Sequence, residues 1–143
     1  MLAETTQTSP EPPRTFPHPG KKPATRVLVV DDEWLVRWSV TQALQARGFD
    51  VDEAADAASA MRAFDTDCDL VLLDLHLPDS DDLQVLSFIR SRSASVPVII
   101  MTAFATREVA EEAAALGASV VHKPFDLNDL AMAVECALAR RVY

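Results

Sequence analysis

Short apolar runs alternate with amphipathic stretches five times along this chain. Val27-Leu28-Val29-Val30, Leu70-Val71-Leu72-Leu73 and Val98-Ile99-Ile100-Met101 are apolar at every position, so neither face of these segments alternates with polar residues. Runs of this length and composition read as strands buried on both faces, the signature of a parallel sheet covered by crossover helices. The pattern predicts strands over 26–30, 49–54, 70–73, 96–101 and 118–122. Between them the apolar positions switch to helical spacing. The first helix is predicted over 34–47, with Leu35, Val36, Val40, Ala43 and Leu44 on one stripe and Gly48 closing it. Asp56 is placed to cap a second, with Ala57, Ala60, Met61 and Phe64 inward. A loop over 75–81 leads to a third carrying Val85, Leu86 and Ile89. An Ala-rich helix over 107–116 ends at Gly117, and a last one over 126–140 turns Leu127, Leu130, Ala131, Val134 and Leu138 inward. Strand–helix alternation of this kind is the pattern of an α/β domain.

The polar residues that interrupt this pattern gather at strand ends. Asp31-Asp32 follows the first strand directly and Asp74 follows the third. In an open parallel sheet, chemistry sits beyond the carboxyl ends of the strands, where strand order reverses. In an order 2-1-3-4-5, the first and third strands are neighbours and their carboxylates converge. At ~4 Å and an effective dielectric of about 20, each such pair costs about 4 kcal/mol. A divalent cation relieves that repulsion, and a set of oxygen donors suits Mg²⁺. Any one of these aspartates, taken alone, reads equally well as a turn residue. Thr102 closes the fourth strand and Lys123 follows the fifth. Alone, the threonine reads as a helix cap and the lysine as ordinary surface. At one sheet edge with three acids, they instead make a site for a metal-bound phosphoryl group, with a carboxylate as nucleophile.

Composition narrows the setting. Six of the nine prolines fall within residues 1–25, among Thr, Ser and Glu, and this stretch is expected to be a disordered tail. Lys21-Lys22 is too short a basic pair to read as a targeting signal. Thirteen basic residues against 22 acidic ones give a net charge of −9, which argues against nucleic-acid binding. Hydrophobic content of 49% with a mean hydropathy of +0.07 fits a soluble domain. No apolar run has the length of a membrane span and no signal-peptide core is visible, so a cytoplasmic setting is expected. Cys68 and Cys136 lack metal-ligand spacing and read as small packing residues.

Four segments carry a resemblance: Val29-Val30-Asp31-Asp32-Glu33, Leu73-Asp74-Leu75-His76-Leu77-Pro78-Asp79, Met101-Thr102-Ala103 and Lys123-Pro124-Phe125. In this order and spacing the chain resembles the receiver domains of response regulators, the phosphoacceptor half of two-component signalling. The stretch from Asp31 to Ser39, with Met101-Thr102-Ala103-Phe104, is most similar to receivers of the nitrogen-regulator type. The resemblance covers 26–141 and implies a flavodoxin-like (βα)5 three-layer sandwich with strand order 2-1-3-4-5. It implies that Asp74 accepts a phosphoryl group from a phosphohistidine of a sensor histidine kinase or phosphotransfer domain. It further implies Mg²⁺ held by Asp32, Asp74 and the backbone carbonyl of His76, with Asp31 acting largely through water. Thr102 and Lys123 would bond the phosphoryl oxygens, and the Lys123–Pro124 peptide would be cis. Hydrolysis of the domain's own acyl phosphate follows from the same chemistry; an enzyme acting on external substrates does not. A homodimer through the fourth helix, fifth strand and fifth helix is the family's usual association.

Several positions depart from the family's pattern. Val120 stands where an aromatic residue usually swings inward, which leaves a shift of the fourth helix as the available switch. Asp82 replaces a usual glycine, and aspartate tolerates a left-handed backbone better than most residues. Phe104 is expected to shield the acyl phosphate. The His76 side chain either contacts phosphate or faces solvent, with solvent favoured. Trp34 is expected near the acidic pocket and Trp38 partly exposed, a surface for ordinary packing or for a helical phosphotransfer partner. A phosphatase of the haloacid-dehalogenase kind needs a second acid two residues after its nucleophile, where this chain has His76. An interaction module without phosphorylation usually lacks an acid or the lysine, and all are present here. No DNA-binding or ATPase segment is legible, so the chain reads as a stand-alone regulator or as part of a longer one.

Overall fold

The computed structural model describes residues 24–81 and 83–140. The Pro-rich segment and Lys21-Lys22, the Asp82 backbone and the last residue of the domain expected over 26–141 lie outside them. Five strands, β1 (Arg26–Val30), β2 (Asp50–Ala54), β3 (Leu70–Asp74), β4 (Val98–Thr102) and β5 (Ala118–His122), alternate with five helices. These are α1 (Trp34–Gln45), α2 (Ala57–Ala63), α3 (Gln84–Arg92), α4 (Arg107–Ala115) and α5 (Leu127–Ala139). All strand pairings are parallel and the order is β2-β1-β3-β4-β5.

Strand periodicity sorts the core into two layers. Val27, Val29, Leu70, Leu72, Ile99 and Met101 point to one face, against Val40 and Leu44 of α1 and Leu130, Ala131 and Val134 of α5. Leu28, Val30, Val71, Leu73, Val98 and Ile100 point to the other, against α2, α3 and Ala113 of α4. This is why the three central runs are apolar throughout: consecutive residues serve opposite cores. Burying each large side chain contributes about 1.5–3 kcal/mol. The edge strand β2 instead carries exposed Asp50, Asp52 and Glu53, charges that discourage pairing with another chain.

Gly48 and Gly117 end α1 and α4 with φ of 91° and 76°, as their sequence positions require. Asp56 caps α2 by accepting from the Ser59 amide at 2.7 Å, and its side chain also bonds the Ser59 hydroxyl. Asp79, from the loop after β3, accepts from the next two free amides of that helix, Ala57 at 2.7 Å and Ala58 at 3.0 Å. Arg90 on α3 bonds backbone carbonyls of the segments around it. Its guanidinium donates to Leu116 and Gly117 at the end of α4, to Val96 before β4 and to Ser93.

Three expectations about packing are corrected. Leu35 and Leu127 do not face the core: they are 59% and 37% exposed and line an open groove instead. Cys68 is buried, but Cys136 is exposed on α5. The fourth strand begins at Val98, not Val96, because Pro97 precedes it; Val96 is buried all the same.

Candidate functional site

Sheet register builds the site. Val30 pairs with Leu73, so the next residues, Asp31 and Asp74, lie side by side as β1 and β3 end. Asp74 pairs with Met101, and Thr102 with His122, which sets Thr102 and Lys123 one step beyond on the neighbouring strands. The Lys123 amide donates to the Thr102 carbonyl at 2.8 Å, and the Lys123–Pro124 peptide is cis. One carboxylate oxygen from each of Asp31, Asp32 and Asp74 lies within 4.8 Å of the others.

Burial differs within this cluster. Asp31 is 0% and Asp74 3% exposed, while Asp32 is exposed and opens the site to solvent. Lys123 Nζ donates to Asp31 Oδ2 at 2.7 Å, to Glu33 Oε1 at 3.2 Å and to Asp74 Oδ2 at 3.4 Å. The other oxygens are held by backbone: Glu33 N–H bonds Asp31 Oδ1 at 2.9 Å, and His76 N–H bonds Asp74 Oδ1 at 3.0 Å. Burial pushes the Asp31 carboxyl above the usual range, and the Asp74 charge adds to this against the pull of Lys123 and the Glu33 amide. The Asp32 carboxyl is raised by loss of water and then by its proximity to Asp74. Burial alone would lower the Lys123 pKa, but the bond to Asp31 and the charges of Asp31 and Asp74 outweigh it and hold the ammonium protonated. One ammonium thus faces several acids, and the excess negative charge remains.

That donor set fits Mg²⁺. The oxygens are hard, no thiolate or imidazole competes among the three, and the exposed Asp32 side leaves room for the waters that Mg²⁺ retains.

Thr102 is fully buried and caps no helix; Thr106 caps α4 through the Val109 amide. The Thr102 hydroxyl donates to the Phe104 carbonyl at 2.9 Å. His76 is exposed, with its ring Nε2 3.4 Å from the same carbonyl, and the Phe104 ring is 80% exposed. Val120 is half-buried against the α2–α3–α4 side of the core. Trp34 and Trp38 are 65% and 51% exposed. Beside the acids lies an open groove of about 530 Å³ lined by Glu33, Leu35, Val36, Lys123, Phe125 and Leu127, among others.

Two contributors were not singled out from the sequence. Glu33 shares the Lys123 ammonium, and Arg37 donates from Nη1 to the Asp31 carbonyl at 2.7 Å and from Nε to Glu53 at 3.0 Å. A cation one turn into a helix that follows an acidic strand end was the available signal for Arg37.

Fold and site together define a doubly wound parallel α/β module with an acidic pocket at the carboxyl edge of its sheet, and comparison with known proteins bears on it directly. Residues 27–135 match the response regulator receiver domain, and the chain belongs to that family. It is 41% identical over 115 residues to the regulatory protein AtoC of Escherichia coli, covering 79% of this chain and 25% of AtoC. It is 31% identical to sporulation initiation phosphotransferase F of Bacillus subtilis, covering 77% of this chain and 90% of that one. The receiver domain of NtrX from Brucella abortus superposes with a TM-score of 0.73 at 34% identity, covering 80% and 99% of the two chains. AtoC and NtrX place the chain among receivers of the nitrogen-regulator type. The chain spans between a quarter and about three-fifths of the length of most of the curated relatives it matches. No helix among the described residues is long and apolar enough to cross a membrane.

Proposed function

We propose that Asp74 accepts a phosphoryl group from a phosphohistidine on a sensor kinase or phosphotransfer domain, in a reaction that depends on Mg²⁺. The observation that carries this reading is the convergence of the Asp31, Asp32 and Asp74 oxygens within 4.8 Å, with the Lys123 ammonium 3.4 Å from Asp74. Asp32, Asp74 and the His76 carbonyl would hold the ion, with Asp31 acting largely through a bound water. When bound, Mg²⁺ supplies charge neutralisation for the nucleophilic carboxylate and the incoming phosphoryl oxygens.

The chain's own residues do the rest. Phosphoryl transfer through a loose transition state needs in-line positioning and charge stabilisation more than covalent assistance. The His76 amide fixes one Asp74 oxygen and orients the other toward Lys123. On transfer, a new Asp74 O–P bond forms as the donor's N–P bond breaks, and Lys123 moves from carboxylate to phosphoryl oxygen. The Thr102 hydroxyl exchanges the Phe104 carbonyl for another phosphoryl oxygen, which carries the signal into the segment leading to α4. The acyl phosphate is then lost to water within the same pocket. The groove beside the acids, lined by Leu35, Val36, Phe125 and Leu127, and the exposed Trp34 and Trp38 of α1 suit the helical partner that bears the phosphohistidine. The α4–β5–α5 surface remains for self-association or output.

A small-molecule phosphatase is disfavoured by His76, which stands where a second acid would be needed and directs its ring to the Phe104 carbonyl. The deciding experiment is incubation with acetyl phosphate and Mg²⁺, read by intact mass. An adduct of about 80 Da, one phosphoryl group, is expected in the wild type and absent in Asp74→Ala. No adduct in either protein would sink the reading, and turnover of small phosphate esters would favour the phosphatase.

A further inference from the structure

Asp31 is held at every polar atom it owns. Its amide donates to the Ala54 carbonyl at 3.1 Å, the last rung between β1 and β2. Its two carboxylate oxygens take the Glu33 amide and the Lys123 ammonium. Its carbonyl takes the Arg37 guanidinium at 2.7 Å, a charge-assisted bond from a side chain itself braced on Glu53. The last of these has a reach beyond Asp31. A peptide unit is planar, so the Asp31 carbonyl and the Asp32 amide share one rigid plane. Fixing the carbonyl oxygen fixes the plane from which Asp32 hangs, so that the Asp32 φ is the one backbone torsion left to set where its Cβ departs. Asp32 itself is exposed, and no cation among the described residues bonds its carboxylate.

We propose that Arg37 is a positioning residue for the metal-binding corner: by clamping the Asp31 carbonyl it aims the Asp32 carboxylate at Asp74. This rests on the reading that the three aspartates hold Mg²⁺. Arg37 works through a neighbouring carbonyl and touches neither the ion nor the phosphoryl group. Its guanidinium fork suits the task because Nη1 serves the Asp31 carbonyl while Nε serves Glu53. The Glu53 side chain belongs to β2, so the clamp spans α1, the β1 end and β2.

Electrostatics and positioning predict opposite signs, which makes the test sharp. Removing a cation near an acidic site should tighten Mg²⁺ binding if charge alone matters. Removing an orienting partner of a metal ligand should weaken it, by about tenfold or more. Mg²⁺ affinity would be measured by calorimetric titration with MgCl₂ on the whole chain, without any phosphodonor. Arg37→Met is expected to bind Mg²⁺ about tenfold more weakly than wild type. Arg37→Lys, which keeps the charge and one donor, should fall between the two. Glu53→Gln should stay within about twofold of wild type, because the bond to the Asp31 carbonyl survives it. Amide hydrogen exchange of the metal-free proteins supplies a second readout: the Asp32 amide should exchange faster in Arg37→Met with the β1 core amides unchanged. An Arg37→Met protein that binds Mg²⁺ as tightly as wild type, or more tightly, overturns the proposal. So does Arg37→Lys matching Arg37→Met in both readouts. If wild type itself shows no Mg²⁺ binding, the metal site fails first, and the exchange data still decide whether Arg37 orders the Asp32 peptide.

Discussion

The corner between β1 and α1 and the corner between β4 and α4 sit at one edge of the sheet and are built in opposite ways. At the first, Asp31 is bonded to Ala54, Arg37, Glu33 and Lys123, partners drawn from β2, α1, its own turn and the end of β5. At the second, the Thr102 hydroxyl and the Phe104 amide and carbonyl bond mainly each other, and Ala103, Phe104 and Thr106 are exposed. From outside, the His76 ring approaches the Phe104 carbonyl at 3.4 Å, and the Lys123 amide holds the Thr102 carbonyl at 2.8 Å without touching the hydroxyl or Phe104. A corner anchored to three other elements keeps its shape whichever ligand arrives. A corner bonded to itself needs to break only one or two weak contacts to rearrange. Under the proposed phosphoryl transfer, the part that receives is thereby kept apart from the part that responds.

The strongest challenge to that contrast is Lys123→Met. It leaves Asp31 buried without its cation, and the metal-free variant should lose about 3 kcal/mol in urea unfolding. Mg²⁺ should then return much of the loss, because saturation at a hundred times its dissociation constant is worth about 2.7 kcal/mol. A variant as stable as wild type without metal would mean the first corner is not held by its ion pairs. Thr102→Val probes the second corner. Expected destabilisation is only about 1 kcal/mol, since the Phe104 carbonyl keeps the His76 ring and solvent. A loss as large as that of Lys123→Met would erase the distinction between the corners.

A turn outside the site sharpens the comparison and gives the smallest effect. The Asp56 carboxyl is held below its ordinary value of 3.8 by its bonds to the Ser59 hydroxyl and amide. Its folded-state pKa is depressed, so its contribution is complete above the unfolded value and disappears as pH falls through the folded one. Melting temperatures of wild type and Asp56→Ala should therefore differ at neutral pH and converge as the pH drops below about 4. A gap that persists unchanged in acid would show that Asp56 acts through something other than its charge.

Most of the fold was legible because the two-core arrangement writes itself into consecutive residues. Val27 through Val30 and Leu70 through Leu73 must be apolar when each face of a central strand meets helices. The convergence of Asp31, Asp32, Asp74, Thr102 and Lys123 was legible for a related reason: register in a parallel sheet carries strand-end residues to one edge. Leu35 and Leu127 misled because helical spacing reports which residues share a stripe, not where that stripe stops. They continue the apolar face past the edge of the sheet, where no described residue covers them fully. Arg37 and Asp79 stayed hidden for a different cause. Each bonds backbone atoms of another element, and no periodicity marks a side chain whose partner is a distant peptide group.

The brace made by Arg90 would constrain any movement of α4. Its guanidinium fastens the carboxyl end of that helix to the end of α3, while the amino end follows the loosely held Thr102–Phe104 segment. A rod nailed at one tip sweeps an arc rather than sliding. With nine residues spanning about 13 Å, a rotation of about 10° carries the far tip about 2 Å and leaves the nailed tip still. Surfaces near Arg107 would feel such a swing in full, whereas those beside Gly117 would barely register it.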